Sequence, residues 1–164
     1  MADYSKNGTP GVSIERVQDV AEKRRIAEHI LLALPDWFGI PEYTQRYIEE
    51  SSDLPFWVVR RGQDPVGFIT LKETSPYTAE IHVMGVLPQY HRKGIGRRLF
   101  SALYDFCKQE GYEFLQVKTV DEGKYEQYDR TRLFYESVGF RKLEVFPALW
   151  DERNPCLVMV MAVR

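Results

Sequence analysis

Val86-Leu87-Pro88-Gln89-Tyr90-His91-Arg92-Lys93-Gly94-Ile95-Gly96-Arg97-Arg98 carries the chain from a β-rich run, through a proline-marked loop, to paired glycines at the head of a helix. Downstream, Ile95, Leu99, Ala102, Leu103, Phe106 and Cys107 recur at helical spacing on one face, and Gly111 is a natural end for that helix. A helix N-terminus presents unpaired backbone N–H groups and the positive end of the helix dipole, which together attract an anion. Gly94 and Gly96 lack Cβ atoms, so a phosphate can approach the backbone closely. His91, Arg92, Lys93, Arg97 and Arg98 surround them with no carboxylate in between. A pyrophosphate suits that geometry. On the glycine pair alone, a simple chain turn with solvated cations stays open. The known nucleotide loops do not fit: a Walker loop needs GxxxxGK[ST], and Gly94-Ile95-Gly96 is followed by Arg98 and Leu99 rather than the third glycine of GxGxxG.

Working outward, the alternating stretch Val12–Arg16 predicts a first strand. Asp19 is placed to cap a helix to about Leu34, with Pro35 stopping it, and Pro41 opens a second helix to about Glu50. Phe56–Arg61 and Val66–Leu71 read as strands about the turn Gly62-Gln63-Asp64-Pro65, and Thr78–Leu87 as a third. Beyond the helix at Gly94–Gly111, Phe114–Val120 predicts a strand and Arg130–Val138 a helix ended by Gly139. Arg141–Phe146 and Cys156–Val163 predict two last strands. The passage 78–120 can form a right-handed parallel crossover. The expectation is one α/β (α+β) domain over 12–164, a mixed and mostly antiparallel sheet of about seven strands with about four helices, behind a loose leader at 1–11.

With 164 residues the chain is long enough to close a core. Hydrophobic residues at 44% and aromatics at 13% exclude a disordered chain. A net charge of −2 argues against a nucleic-acid binder. The longest apolar run, Cys156–Val163, falls far short of the roughly 20 residues of a membrane helix. Residues 1–11 lack a signal-peptide pattern. Cys107 and Cys156 lie in no CxxC or Cys/His cluster, which points to reduced thiols and a cytoplasmic location. His29, His82 and His91 show no metal-ligand spacing, so no metal is expected.

The central stretch resembles the acyl-CoA loop of the GNAT superfamily of N-acetyltransferases, (Arg/Gln)-x-x-Gly-x-(Gly/Ala) after a strand ending in Val-x-Pro. Here it stands as His91-Arg92-Lys93-Gly94-Ile95-Gly96 after Val86-Leu87-Pro88. Leu133-Phe134-Tyr135-Glu136-Ser137-Val138-Gly139-Phe140 resembles the family's later helix and turn, (Leu/Phe)-Tyr-x-x-x-Gly-Phe. With the element order, the resemblance covers essentially residues 12–163. It departs at His91, where Arg or Gln is usual, and at Tyr128, where many members have an Asn on the CoA arm.

The resemblance implies direct transfer of acetyl from acetyl-CoA to a primary amine. It assigns cofactor contacts to Met84, Gly85 and Val86 along the pantetheine arm, to His91, Arg92, Lys93, Gly94, Ile95, Gly96 and Arg97 at the pyrophosphate, and to Tyr128. Gly85 is read as a bulge that opens a V for the cofactor, and the N–H of Met84 or Val86 as the oxyanion donor. Tyr135 matches the family's tyrosine and is the expected proton donor to the departing thiolate. The attacking amine must shed a proton, since an ammonium with a pKa near 10 has no lone pair. Glu80, which matches a frequent family carboxylate, and His82 lie two apart on one strand face and are the candidate bases, with solvent as the third option. Lys118 stands where some relatives carry a basic carboxylate.

For the acceptor, Asp36, Trp37, Phe38 and Glu42 lie between the two early helices. The aromatics offer a cation–π wall and the acids an attraction for an ammonium. From Asp36 to Asp53 there are five carboxylates and one cation, Arg46. The loop 121–126, with Asp121, Glu122 and Glu126, is a second acidic border. A small cationic acceptor, polyamine- or aminoglycoside-like, is expected, with no nucleic-acid or membrane partner. A homodimer, a non-catalytic CoA-binding module, and a protein N-terminal or lysine acetyltransferase stay open.

Overall fold

A computed structural model describes residues 11–164, so the leader expected at 1–11 lies almost wholly outside the described residues. The elements follow the predicted order. They are β1 (Val12–Val17), α1 (Val20–Leu32), α2 (Pro41–Ser51), β2 (Phe56–Arg61), β3 (Asp64–Glu73), β4 (Thr78–Val86), α3 (Ile95–Glu110), β5 (Phe114–Val120), α4 (Glu126–Val138), β6 (Arg141–Asp151) and β7 (Asn154–Ala162). A single 3-10 turn, Pro88–Tyr90, leads from β4 toward α3. Seven strands form one sheet in the order β1-β2-β3-β4-β5-β7-β6. β1–β2, β2–β3, β5–β7 and β6–β7 pair antiparallel, whereas β4 and β5, joined through α3, pair parallel. No helix among the described residues is long and apolar enough to cross a membrane.

Two compact units divide the chain, one ending at Lys72 and resuming at His82–Phe106, the other comprising Glu73–Ile81 and Cys107–Arg164. In the first, Asp19 caps α1 as expected, its carboxylate accepting from the Glu22 N–H at 2.8 Å. The apolar face of α1, Ile26, Ala27, Ile30 and Leu31, is buried with Phe56 and Phe68, whose rings stack at 5.1 Å. A Cβ on Gly85 would stand 3.0 Å from Ile30 Cγ2 and 3.1 Å from Leu34 Cδ1, so glycine at 85 lets α1 press directly on β4. Lys23 is buried and donates to the Leu54 carbonyl at 2.7 Å, linking α1 to the turn between α2 and β2. Burial holds its ammonium below the ordinary lysine value; Arg16 lowers it further and Asp53 partly opposes.

In the second unit, Leu115, Val117, Leu157, Met159 and Phe140 form the buried core. Here α4 starts at Glu126, four residues before the predicted Arg130. Its first turn is too polar to show apolar periodicity, but Glu126 and Asp129 suit the positive end of the helix. β6 runs on to Asp151, past the predicted end at Phe146. Pro147 lies inside the strand. It is tolerated because β6 ends the strand order and its register with β7 shifts between Phe146 and Asp151, so no ladder N–H is needed there.

Candidate functional site

The anion loop is built as its residue types require. Gly94 has φ 79° and its carbonyl accepts from the Arg98 N–H at 3.1 Å, which closes the first turn of α3. The N–H groups of Ile95 and Gly96 stand ahead of that bond, where no carbonyl of the same helix precedes them. Arg92 is also left-handed, with φ 61°, the one non-glycine residue so placed among the described residues. Left-handed residues in a loop curl successive N–H groups toward a common point, the geometry of an anion nest. The first turn of α3 carries no acid. Arg98, also in the first turn of α3, has a buried Nε with no hydrogen-bond acceptor. The residues present thus fit a pyrophosphate.

His91 is turned back on β4. Its ring Nε2 lies 2.6 Å from the Val86 carbonyl, and Trp37 meets the imidazole edge-on at 5.7 Å. The side chain given to phosphate by sequence therefore braces the loop, and its backbone N–H is engaged as well, donated to the Pro88 carbonyl at 3.1 Å. The same bond occupies the Val86 carbonyl, one of the groups expected along the pantetheine arm. Buried Thr70 secures the strand upstream, its hydroxyl accepting from the Val83 N–H at 3.2 Å.

Around the residues expected to meet an acceptor, the structure links side chains that sequence left separate. Half-buried Phe38 meets Tyr47 of α2 edge-on at 5.9 Å, and Tyr47 meets His82 of β4 at 5.4 Å. The ring Nε2 of His82 lies 2.7 Å from Glu50 Oε2. Sequence reading missed Tyr47 altogether and saw Glu50 only as part of an acidic run. The signal was there: Tyr47 and Glu50 are three apart and share a helix face. Asp36 and Glu42 are exposed.

Glu80 is 6% exposed. Its Oε1 accepts from Gln116 Nε2 at 2.9 Å and lies 3.1 Å from Lys118 Nζ. The two donors come from β5, whose register sets Glu80 opposite Gln116. The parallel ladder between β4 and β5 comprises 78–81 against 114–117. Tyr135 is the buried residue of α4, its ring 5.7 Å from that of Phe134 and 5.6 Å from that of Phe140. Tyr128 sits in the first turn of α4, its ring against Tyr125 at 6.0 Å. In the acidic loop, Glu122 is tied to Lys142 at 2.9 Å and to Arg132 at 3.5 Å. The Lys142 hydrogen bond, then its charge and that of Arg132, hold the carboxyl below the usual range, so this acid is committed to β6 and α4.

A cavity of about 660 Å³ lies elsewhere in the first unit, lined by Arg25, His29, Arg60, Asp64, Leu87 and Tyr90 among others, and none of the sequence-predicted site residues borders it. Its most buried cation, Arg60, is already engaged by Glu15 and Glu22.

The model of the acetyltransferase (GNAT) family matches residues 23–140. An N-alpha-acetyltransferase, RimI, of Mycobacterium tuberculosis is 38% identical over 77 residues, covering 47% of this chain and 44% of its own length. The chain thus spans under half of that relative. Among solved structures, a GNAT-family protein of Desulfovibrio desulfuricans superposes with a TM-score of 0.74 at 20% identity, covering 93% of this chain and 99% of its own. An aminoglycoside 6'-acetyltransferase of type Ii gives the same score and identity, covering 93% of this chain and 97% of its own. At that identity the likeness is one of fold.

Proposed function

Since the chain belongs to the acetyltransferase (GNAT) family, we propose that it transfers acetyl from acetyl-CoA directly to a primary amine, carried by a small cationic molecule. The observation that supports this reading is the loop 91–98, which combines a left-handed Gly94, an acid-free helix start and a buried Arg98 Nε with no hydrogen-bond acceptor. Acetyl-CoA is the cosubstrate whose pyrophosphate fits there.

In the proposed reaction the amine nitrogen attacks the thioester carbon. The C–N bond forms, the C–S bond breaks, and the electron pair leaves on sulfur. A group on β4 takes the amine's proton, and the Tyr135 hydroxyl gives one to the thiolate. Tyr135 is supported by its match to the family block and by the rings of Phe134 and Phe140 that fix its own. Glu80 and His82 are the candidate bases. Preference for a cationic acceptor is supported by the carboxylates between Asp36 and Asp53 and by the edge-on rings of Phe38 and Tyr47. Likeness to the N-alpha-acetyltransferase favours a second acceptor, the α-amine of a peptide.

A panel of polyamines, aminoglycosides and peptides with free N-termini, read by release of free thiol from acetyl-CoA, tests this reading. Turnover with a small polycation supports it, turnover with peptides alone moves the acceptor to protein N-termini, and no turnover with calorimetric binding of acetyl-CoA leaves a CoA-binding module.

A further inference from the structure

We propose that Glu50 and His82 form a carboxylate–imidazole pair in which His82 takes the acceptor's proton and Glu50 is its positioning residue. The inference rests on the acetyltransferase reading and goes beyond it in choosing the base and in giving a role to Glu50.

Three observations carry it. The contact between His82 Nε2 and Glu50 Oε2 is 2.7 Å, short enough for a charge-assisted hydrogen bond. His82 is nearly enclosed, its side chain 11% exposed, whereas Glu50 is 43% exposed, so the carboxylate stays hydrated while it fixes the ring. Tyr47 lies edge-on against the imidazole and limits its rotation. With Nε2–H donated to Glu50, the neutral tautomer carries its basic lone pair on Nδ1, and the imidazolium that forms on proton uptake is stabilised by the carboxylate.

Glu80, the competing base, is in a different state. Lys118 and Gln116 both donate to the same oxygen of a carboxylate that is almost wholly buried. An oxygen that already accepts from an amide and pairs with an ammonium has less lone-pair capacity left for the acceptor's proton. The groups facing the His82 ring from α2 are the Glu50 carboxylate and the Tyr47 phenol. On β4 itself the same face carries Glu80, held from β5 by Lys118 and Gln116.

The test is the dependence of kcat/KM on pH for the wild type, Glu50→Gln, His82→Gln and Glu80→Gln, using the best amine of the panel and saturating acetyl-CoA. His82→Gln should lower the rate 10²–10⁴-fold near neutrality, the usual worth of positioned proton transfer, with the deficit shrinking at high pH where the free amine predominates. Glu50→Gln should move the acid limb to lower pH, because the imidazolium loses its carboxylate, while acetyl-CoA affinity stays within about twofold. A merely structural Glu50 would change thermal stability and leave the limb in place. An NMR titration of the His82 ring gives an independent reading: its midpoint should fall in Glu50→Gln, and an unmoved midpoint overturns the pair. If Glu80→Gln moves the limb and Glu50→Gln does not, the base is Glu80 and the inference fails while the acetyltransferase reading stands. A wild type without turnover on any amine sinks both.

Discussion

Lys118 Nζ stands 3.1 Å from Glu80 Oε1, an ion pair laid across two parallel strands with its acidic member 6% exposed and its basic side chain 34% exposed. The asymmetry fixes which substitution costs more. Removing the ammonium leaves a buried carboxylate supported by Gln116, whereas removing the carboxylate leaves a lysine that reaches water. Lys118→Met should therefore destabilise the protein by about 1–3 kcal/mol, less than a fully buried pair because the lysine is partly solvated, and Glu80→Gln by less than that. Urea unfolding of both variants checks the order; equal or reversed losses would show that the pair is not held as described.

Gly94→Val attacks the anion loop. A branched side chain at φ 79° is strained by roughly 1–3 kcal/mol, and its methyl groups fill the space a phosphate would take. Calorimetry should show acetyl-CoA binding abolished in a protein that still unfolds cooperatively. Unchanged affinity in that folded variant would refute the site. Replacing Arg92 and Lys93 together should weaken binding less, and by an amount that shrinks as salt rises, because exposed charges are screened.

Tyr135→Phe keeps the ring between Phe134 and Phe140 and deletes the hydroxyl. Turnover should fall about 10²–10⁴-fold with acetyl-CoA affinity nearly constant, as proton transfer to the thiolate requires. A loss of binding without a loss of kcat would make Tyr135 a wall of the site.

Cys107 and Cys156 are both buried and free. Desolvation pushes Cys107 up to about 12 from an ordinary 9.0. It pushes Cys156 up to about 11, with Lys118 opposing and Glu80 assisting. Since the thiolate is the reactive form, native protein at pH 8 should be nearly silent to Ellman's reagent, and both thiols should react on denaturation. The thiol-release assay then reports the cosubstrate alone. Linkage gives the sign at alkaline pH: the folded values are raised, so the stabilisation is whole below 9.0 and fades as pH climbs from there through about 11 to 12. Cys107→Ala should flatten that fall in a series of urea melts at pH 8 to 11, provided the small cavity is tolerated; fast labelling of native protein would contradict the burial.

Local sequence determined the elements and the anion loop, because each depends on chemistry within a few residues. Asp19 before an apolar periodicity starts a helix, Pro41 opens another, and a glycine pair among cations after Val-x-Pro makes a turn with exposed N–H groups. Where local signals misled, the tertiary setting was the cause: Pro147 sits inside β6 because that strand closes the order, and the polar first turn of α4 has no apolar period to announce it. The pairings within the site were decided only by packing. Gly85 is a glycine because α1 needs the space, His91 turns to the Val86 carbonyl, and the parallel register of β4 on β5 delivers Lys118 and Gln116 to Glu80. Glu50 and His82 are 32 residues apart. No periodicity reaches that far; the two meet because folding lays the α2 face that carries Tyr47 and Glu50 against His82 of β4.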